Sequence, residues 1–119
     1  MTDDKKRELK KRMDALHEKY CQQLPDKYQE IEDCWNNYQT DLTNPAFIET
    51  FYRLIHTFKG TAATFGFTIQ SDLCFGVQKI LIPAKENHTV LNESDVKKIQ
   101  AYLDGLKINL NSPAENISD

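Results

Sequence analysis

The stretch Asn44-Pro45-Ala46-Phe47-Ile48-Glu49-Thr50-Phe51-Tyr52-Arg53-Leu54-Ile55-His56-Thr57-Phe58-Lys59-Gly60-Thr61-Ala62-Ala63-Thr64-Phe65-Gly66 reads as one helix with two contrasting faces. Asn44 suits the N-cap, Pro45 the first helical position and Gly66 a left-handed stop, which bounds the helix at 45–65. At about 100° per residue, Phe47, Phe51, Leu54, Ile55, Phe58, Ala62 and Phe65 fall on one stripe that must meet a core. His56 lies roughly 140° from the middle of that stripe, with Lys59 at i+3, Gly60 at i+4 and Ala63 at i+7. A mid-helix glycine costs about 1 kcal/mol relative to alanine, and the neighbouring threonines are also poor helix formers. The polar face is therefore not chosen for helix stability, and a solvent-facing imidazole beside a cation and two nearly absent side chains points to function.

Outward from this helix the periodicity stays helical, and no segment alternates as a strand would. Leu9, Met13, Leu16, Tyr20 and Leu24 form one stripe, and Tyr28, Ile31, Trp35, Tyr38 and Leu42 continue it beyond Pro25. Proline lacks an N–H and clashes with the carbonyl four residues back, so the pattern predicts two elements, about 5–23 and 25–40. A further stripe of Ile69, Leu73, Val77, Ile80 and Ala84 follows the Phe67-Thr68 link, with Pro83, Asn87 and the polar run 86–89 marking its end. Asn92 then caps a last helix with Asp95 in its first turn, and Val96, Ile99, Leu103, Leu106 and Leu110 make its stripe. Short links between amphipathic helices favour antiparallel neighbours. The expected fold is all-α, an antiparallel up-down four-helix bundle with an additional N-terminal helix, over residues 1–110. Residues 111–119 are polar and unpatterned and read as a tail or linker.

Composition narrows the function. The chain of 119 residues has room for one core, and 15 basic against 18 acidic residues, a net charge of −3, disfavour a general nucleic-acid binder. The basic-looking start, Lys5 to Arg12, is interleaved with Asp3, Asp4, Glu8 and Asp14 and reads as a solvated helix face. No apolar run approaches the ~18 residues of a membrane span, and a charged N-terminus is unlike a signal peptide, so a cytoplasmic protein without membrane insertion is expected. Cys21, Cys34 and Cys74 are odd in number and lack C-x-x-C spacing, so buried or half-buried thiols are the default. His17 and Cys21 stand at i, i+4 but lack further ligands, and no metal site is expected.

Histidine as a side chain has an ordinary pKa of about 6.5, and its neutral ring nitrogen is a competent nucleophile toward an activated phosphoryl group. Phosphoryl transfer needs positioning and positive charge more than covalent chemistry from the protein, and Lys59 stands one turn along on the flank of His56. Gly60 and Ala63 remove bulk beside the ring, which would admit the active-site cleft of another protein.

The run Leu54 to Gly66, with its His56-x-x-Lys59-Gly60 core and following small residues, closely resembles the central helix of histidine-containing phosphotransfer domains. The resemblance implies that His56 is the phosphoryl-accepting residue, Lys59 the supporting cation and Gly60 the small residue that admits the partner. It also implies a polar side chain on the following helix beside the imidazole, where Gln78 stands. Phase agrees, since Gln78 lies about 140° from that helix's core stripe on a facet shared with Ser71, Phe75 and Ile82. Tyr52, Ala63, Phe75 and Ile82 are the expected docking surface around the histidine, with burial under the N-terminal helix the alternative for Phe75 and Ile82. The implied partners are a response-regulator receiver domain and an upstream sensor kinase. The chain has no nucleotide loop or kinase signature, so ATP chemistry comes from elsewhere, any Mg²⁺ arrives with the receiver, and no cofactor of its own is expected. A monomer is the default when each stripe is buried within one bundle.

Three other readings separate by test. A docking module that carries no phosphate would tolerate His56→Gln. An enzyme using His56 as general base needs a concave pocket and a second catalytic group. A metal-binding bundle would show itself in metal analysis.

Overall fold

The computed structural model describes residues 2–111. Four helices account for them: α1 (Asp3–Thr40), α2 (Pro45–Thr64), α3 (Thr68–Asn87) and α4 (Glu93–Ile108), with no strand among the described residues. The tail assigned to 111–119 falls outside the described residues beyond Asn111. Successive helices pack against each other, and α1 closes the bundle onto α4, where Tyr28 Oη donates to the Leu103 carbonyl (3.3 Å) and Trp35 Nε1 to Gln100 Oε1 (2.9 Å). Trp35 stacks on Phe51 at 5.1 Å between centroids, joining α1 to α2 at the centre of the core.

The expected additional N-terminal helix is not separate. Pro25 lies inside α1, which runs unbroken for 38 residues, about 57 Å at 1.5 Å per residue, and sets the longest dimension of 56 Å. Leu24, Tyr28, Ile31, Trp35 and Tyr38 are all buried, and that packing outweighs the one backbone hydrogen bond the proline forfeits. Pro25 itself is exposed, so water reaches the side of the helix where the carbonyl of Cys21 has lost its N–H partner. The amphipathic stripe is likewise only half used. Tyr20 and Leu24 are buried, whereas Leu9, Met13 and Leu16 stand exposed on a part of α1 that runs past the other helices.

Turn chemistry fixes the remaining boundaries. Asn44 Oδ1 accepts from the Ala46 N–H at 2.9 Å with Pro45 at the first helical position. Gly66 adopts φ 81°, and the Phe67 N–H to Ala62 carbonyl (2.8 Å) and Gly66 N–H to Ala63 carbonyl (3.1 Å) bonds complete a Schellman stop for α2. Asn92 and Asp95 form a reciprocal capping box at the start of α4. Pro83 does not end α3, which continues to Asn87. Where α3 packs on α4, the Tyr102 ring lies against Gly76, and a Cβ there would sit 2.5 Å from the ring.

Candidate functional site

His56 projects from the middle of α2 on the face opposite Phe51, Ile55, Phe58 and Ala62, which are buried, and the imidazole is exposed as its phase requires. Gln78 of α3 meets it: the amide nitrogen lies 2.8 Å from His56 Nδ1. Gln78 does not lie on the outward facet with Phe75 that its phase predicts. Its side chain is only 3% exposed and belongs to the buried side of α3, together with Gln70, Cys74, Val77 and Leu81. Because α3 packs against both α2 and α4, its buried arc is wider than one stripe, and Ile69, placed on the core stripe, is instead exposed. Gln78 sits at the α2 edge of that arc and reaches out to the ring.

The pair has two complementary states. With the amide N–H donating to Nδ1, the ring proton resides on Nε2; with the amide turned by half a rotation, Nδ1–H donates to the amide oxygen and the Nε2 lone pair is free. In either state the contact fixes the ring through Nδ1.

Tyr52, one turn before His56 on α2, stacks its ring nearly parallel to the imidazole, 5.8 Å between centroids at 11°. Lys85 Nζ lies 3.9 Å over the other partner of this stack, the Tyr52 ring, and pairs with Glu49 at 2.9 Å, which also takes Arg53 at 3.2 Å. The hydrogen bond from Lys85, reinforced by Arg53, holds the Glu49 carboxyl below the usual carboxylate range. Sequence reasoning missed Lys85 and Glu49. The signal was spacing by seven, which places Lys85 two turns after Gln78 and Glu49 two turns before His56 on the same helix faces.

On the other flank, Phe75 is 47% exposed, which removes the alternative that it is buried under the N-terminal helix. The ammonium groups of Lys59 and Lys79 lie 5.0 and 4.9 Å from its ring centroid. Lys59 is half-buried and therefore held near this surface, and Lys79 is a further cation that sequence reasoning did not single out. Ile82, one turn beyond Gln78, is half-buried. Gly60 and Ala63 are exposed, and a Cβ built on Gly60 meets no atom within 4 Å. The structure thus brings His56, Gln78 and Tyr52 into direct contact and sets Lys59 with Phe75, beside a smooth strip of helix backbone at Gly60 and Ala63.

No group of three or more His, Cys, Asp or Glu converges among the described residues, where His17 Nδ1 and Cys21 Sγ stand 3.9 Å apart without further candidate ligands. None of the described helices is long and apolar enough to cross a membrane.

The described residues thus form a four-helix bundle with an exposed histidine pinned at one nitrogen by the neighbouring helix. The Hpt domain family model matches residues 15–108, and the chain belongs to that family. Its members take part in phosphorelay signalling with receiver domains and kinases, as phosphoryl carriers rather than kinases. No solved structure matches the chain.

Proposed function

We propose that His56 is the phosphoryl carrier of a two-component phosphorelay, accepting the group from the phospho-aspartate of a receiver domain and returning it to a receiver aspartate. The Nε2 lone pair attacks phosphorus, the P–O bond to the aspartyl carboxylate breaks, and the carboxylate departs with the electron pair as the N–P bond forms. Gln78, through its amide oxygen, keeps the proton on Nδ1 and the lone pair on Nε2. Lys59 supplies positive charge to the phosphoryl oxygens, while Tyr52, Ala63, Phe75 and Ile82 with the open surface at Gly60 receive the partner. The receiver brings Mg²⁺ with its own acidic site, and this chain contributes no cofactor.

The observation that carries the reading is the exposed imidazole held at Nδ1 by a buried glutamine, beside Gly60, where an added Cβ would meet no atom within 4 Å. The test is incubation with a phosphorylated receiver and detection of acid-labile, alkali-stable label. Wild type gains label and His56→Gln does not; label persisting in the variant places the chemistry elsewhere, and signalling that survives His56→Gln favours docking without phosphate.

A further inference from the structure

The α2–α3 turn meets α1 at His17 and Tyr20, where His17 stacks on Phe67 (5.4 Å) and Tyr20 on Phe65 (4.9 Å). Residues of α1 before this point, from Asp3 to Leu16, extend about 21 Å beyond it. The Hpt match covers residues 15–108, so Asp3–Asp14 of this overhang, with Leu9 and Met13, lie outside the matched segment. It is not uniformly polar: Leu9, Met13 and Leu16 are 51, 52 and 54% exposed and continue into Tyr20 and Leu24 of the core. The four-three-four spacing of Leu9, Met13, Leu16 and Tyr20 is that of a coiled-coil seam.

Charge is sorted around this seam. Within about 90° of its centre lie Lys5, Lys6, Lys10, Arg12 and Lys19 and no carboxylate, whereas Asp3, Asp4, Glu8, Asp14 and Glu18 lie further round, together with Arg7 and Lys11. Asp14 and Glu8 reach back to Lys10 (3.2 Å) and Arg12 (3.0 Å), but these side chains remain mostly exposed, and such pairs exchange readily for a partner's carboxylates. A second copy of the chain would set cations against cations along both edges of the seam. An anionic membrane would find only three apolar side chains to take up, a narrow face for interfacial binding.

We propose that the overhang of α1 is a docking site for an amphipathic helix of a partner protein whose apolar seam is flanked by Asp and Glu. The seam lies about 20–25 Å along the bundle axis from His56, counting residues through Phe65 and His17, so a partner held there leaves the imidazole free. The site does not depend on His56 chemistry, and its test is read separately.

The experiment uses the full chain and labelled 21-residue synthetic helices with leucine and isoleucine in the seam, one flanked by glutamate and its twin by lysine, in fluorescence anisotropy. The glutamate peptide binds, more weakly as salt rises, and the lysine twin does not. The combined Leu9→Ser, Met13→Ser and Leu16→Ser variant weakens binding about tenfold or more, a loss of at least one side chain's hot-spot contribution. Lys5→Glu, Lys10→Glu and Arg12→Glu together transfer preference to the lysine twin, which no loss of folding would do, and both variants keep wild-type transfer to His56. Equal binding of the two peptides, or of neither, overturns the proposal. So does binding confined to phosphatidylglycerol vesicles, or a seam-dependent dimer in sedimentation equilibrium.

Discussion

Replacing Gly60 separates the demands of folding from those of partner access. Gly60 lies in the fifth turn of α2, exposed, with no atom within 4 Å of an added Cβ. Alanine there meets no obstacle and gains the ordinary helix-interior advantage over glycine of about 1 kcal/mol. For a chain of this size that raises Tm by about 4 °C. Gly60→Leu keeps most of this gain, because leucine is also a good helix former, while placing a side chain on the strip beside His56. Phosphoryl transfer from a receiver to Gly60→Leu is expected to slow about tenfold or more, equivalent to 1.4 kcal/mol or more of transition-state stabilisation lost to poorer approach. The assays are urea and thermal melts of both variants and single-turnover transfer from labelled receiver. A Tm for Gly60→Ala at or below wild type would refute the open-space argument. A more stable Gly60→Leu that accepts phosphate at the wild-type rate would refute the idea that glycine is there to admit a partner.

Gln78→Leu preserves volume and removes the amide from Nδ1, while the exposed ring can turn to water. Stability should change by less than about 1.5 kcal/mol, transfer should fall without vanishing, and ¹⁵N shifts of the imidazole should report a redistributed tautomer; unaltered kinetics and shifts would exclude Gln78 from the site. Gly76→Ala drives a Cβ into the Tyr102 ring and should cost about 1–3 kcal/mol in urea melts, with Tyr102→Leu recovering part of the loss in the double variant, whereas additive losses would contradict the contact. Alkaline pH should weaken the fold through Cys74. Burial pushes this thiol up from 9.0 to about 12, with Lys59 opposing slightly. The unfolded thiol loses its proton first, so the stabilisation is intact below pH 9 and is lost as pH rises from 9 toward 12, at up to about 1.4 kcal/mol per pH unit. Urea melts across that window should show the slope, and Cys74→Ala should reduce it.

Helix α2 was legible from sequence because its signals are local. Its cap at Asn44, its stop at Gly66 and its single apolar stripe are set by residues within the segment, and the position of His56 followed from counting. What escaped depended on contacts between distant segments. Pro25 carries a local instruction to break, and only the burial of Leu24, Tyr28 and Ile31 against the rest of the bundle overrides it. Gln78 was assigned to the right place beside His56, but on an outward facet, because a helix packed on two sides has no single stripe to count from. Lys85 emerged only when α3 was laid against α2, bringing its ammonium over Tyr52. The exposure of Leu9, Met13 and Leu16 was hidden for the opposite reason: their pattern promises a core, and which part of a long helix finds neighbours is decided by where α2 and α3 turn.

The faces of α2 show how a site of poor helix formers is kept in a helix. Phe51, Ile55, Phe58 and Ala62 are all buried, and each large apolar side chain contributes about 1.5–3 kcal/mol on burial. Against that, Gly60 and the threonines on the other face cost about 1 kcal/mol and a few tenths each. Thr61 and Thr64 turn their hydroxyls to the backbone carbonyls of Thr57 and Gly60 at 3.0 and 2.9 Å, folding their side chains down against the helix. Small or folded-down side chains on one face are tolerable because the opposite face carries the stability, and the same division leaves the imidazole standing clear of its own helix. Its orientation then comes from the hydrogen bond to Gln78 of α3 and from the stacked ring of Tyr52, one turn back on α2.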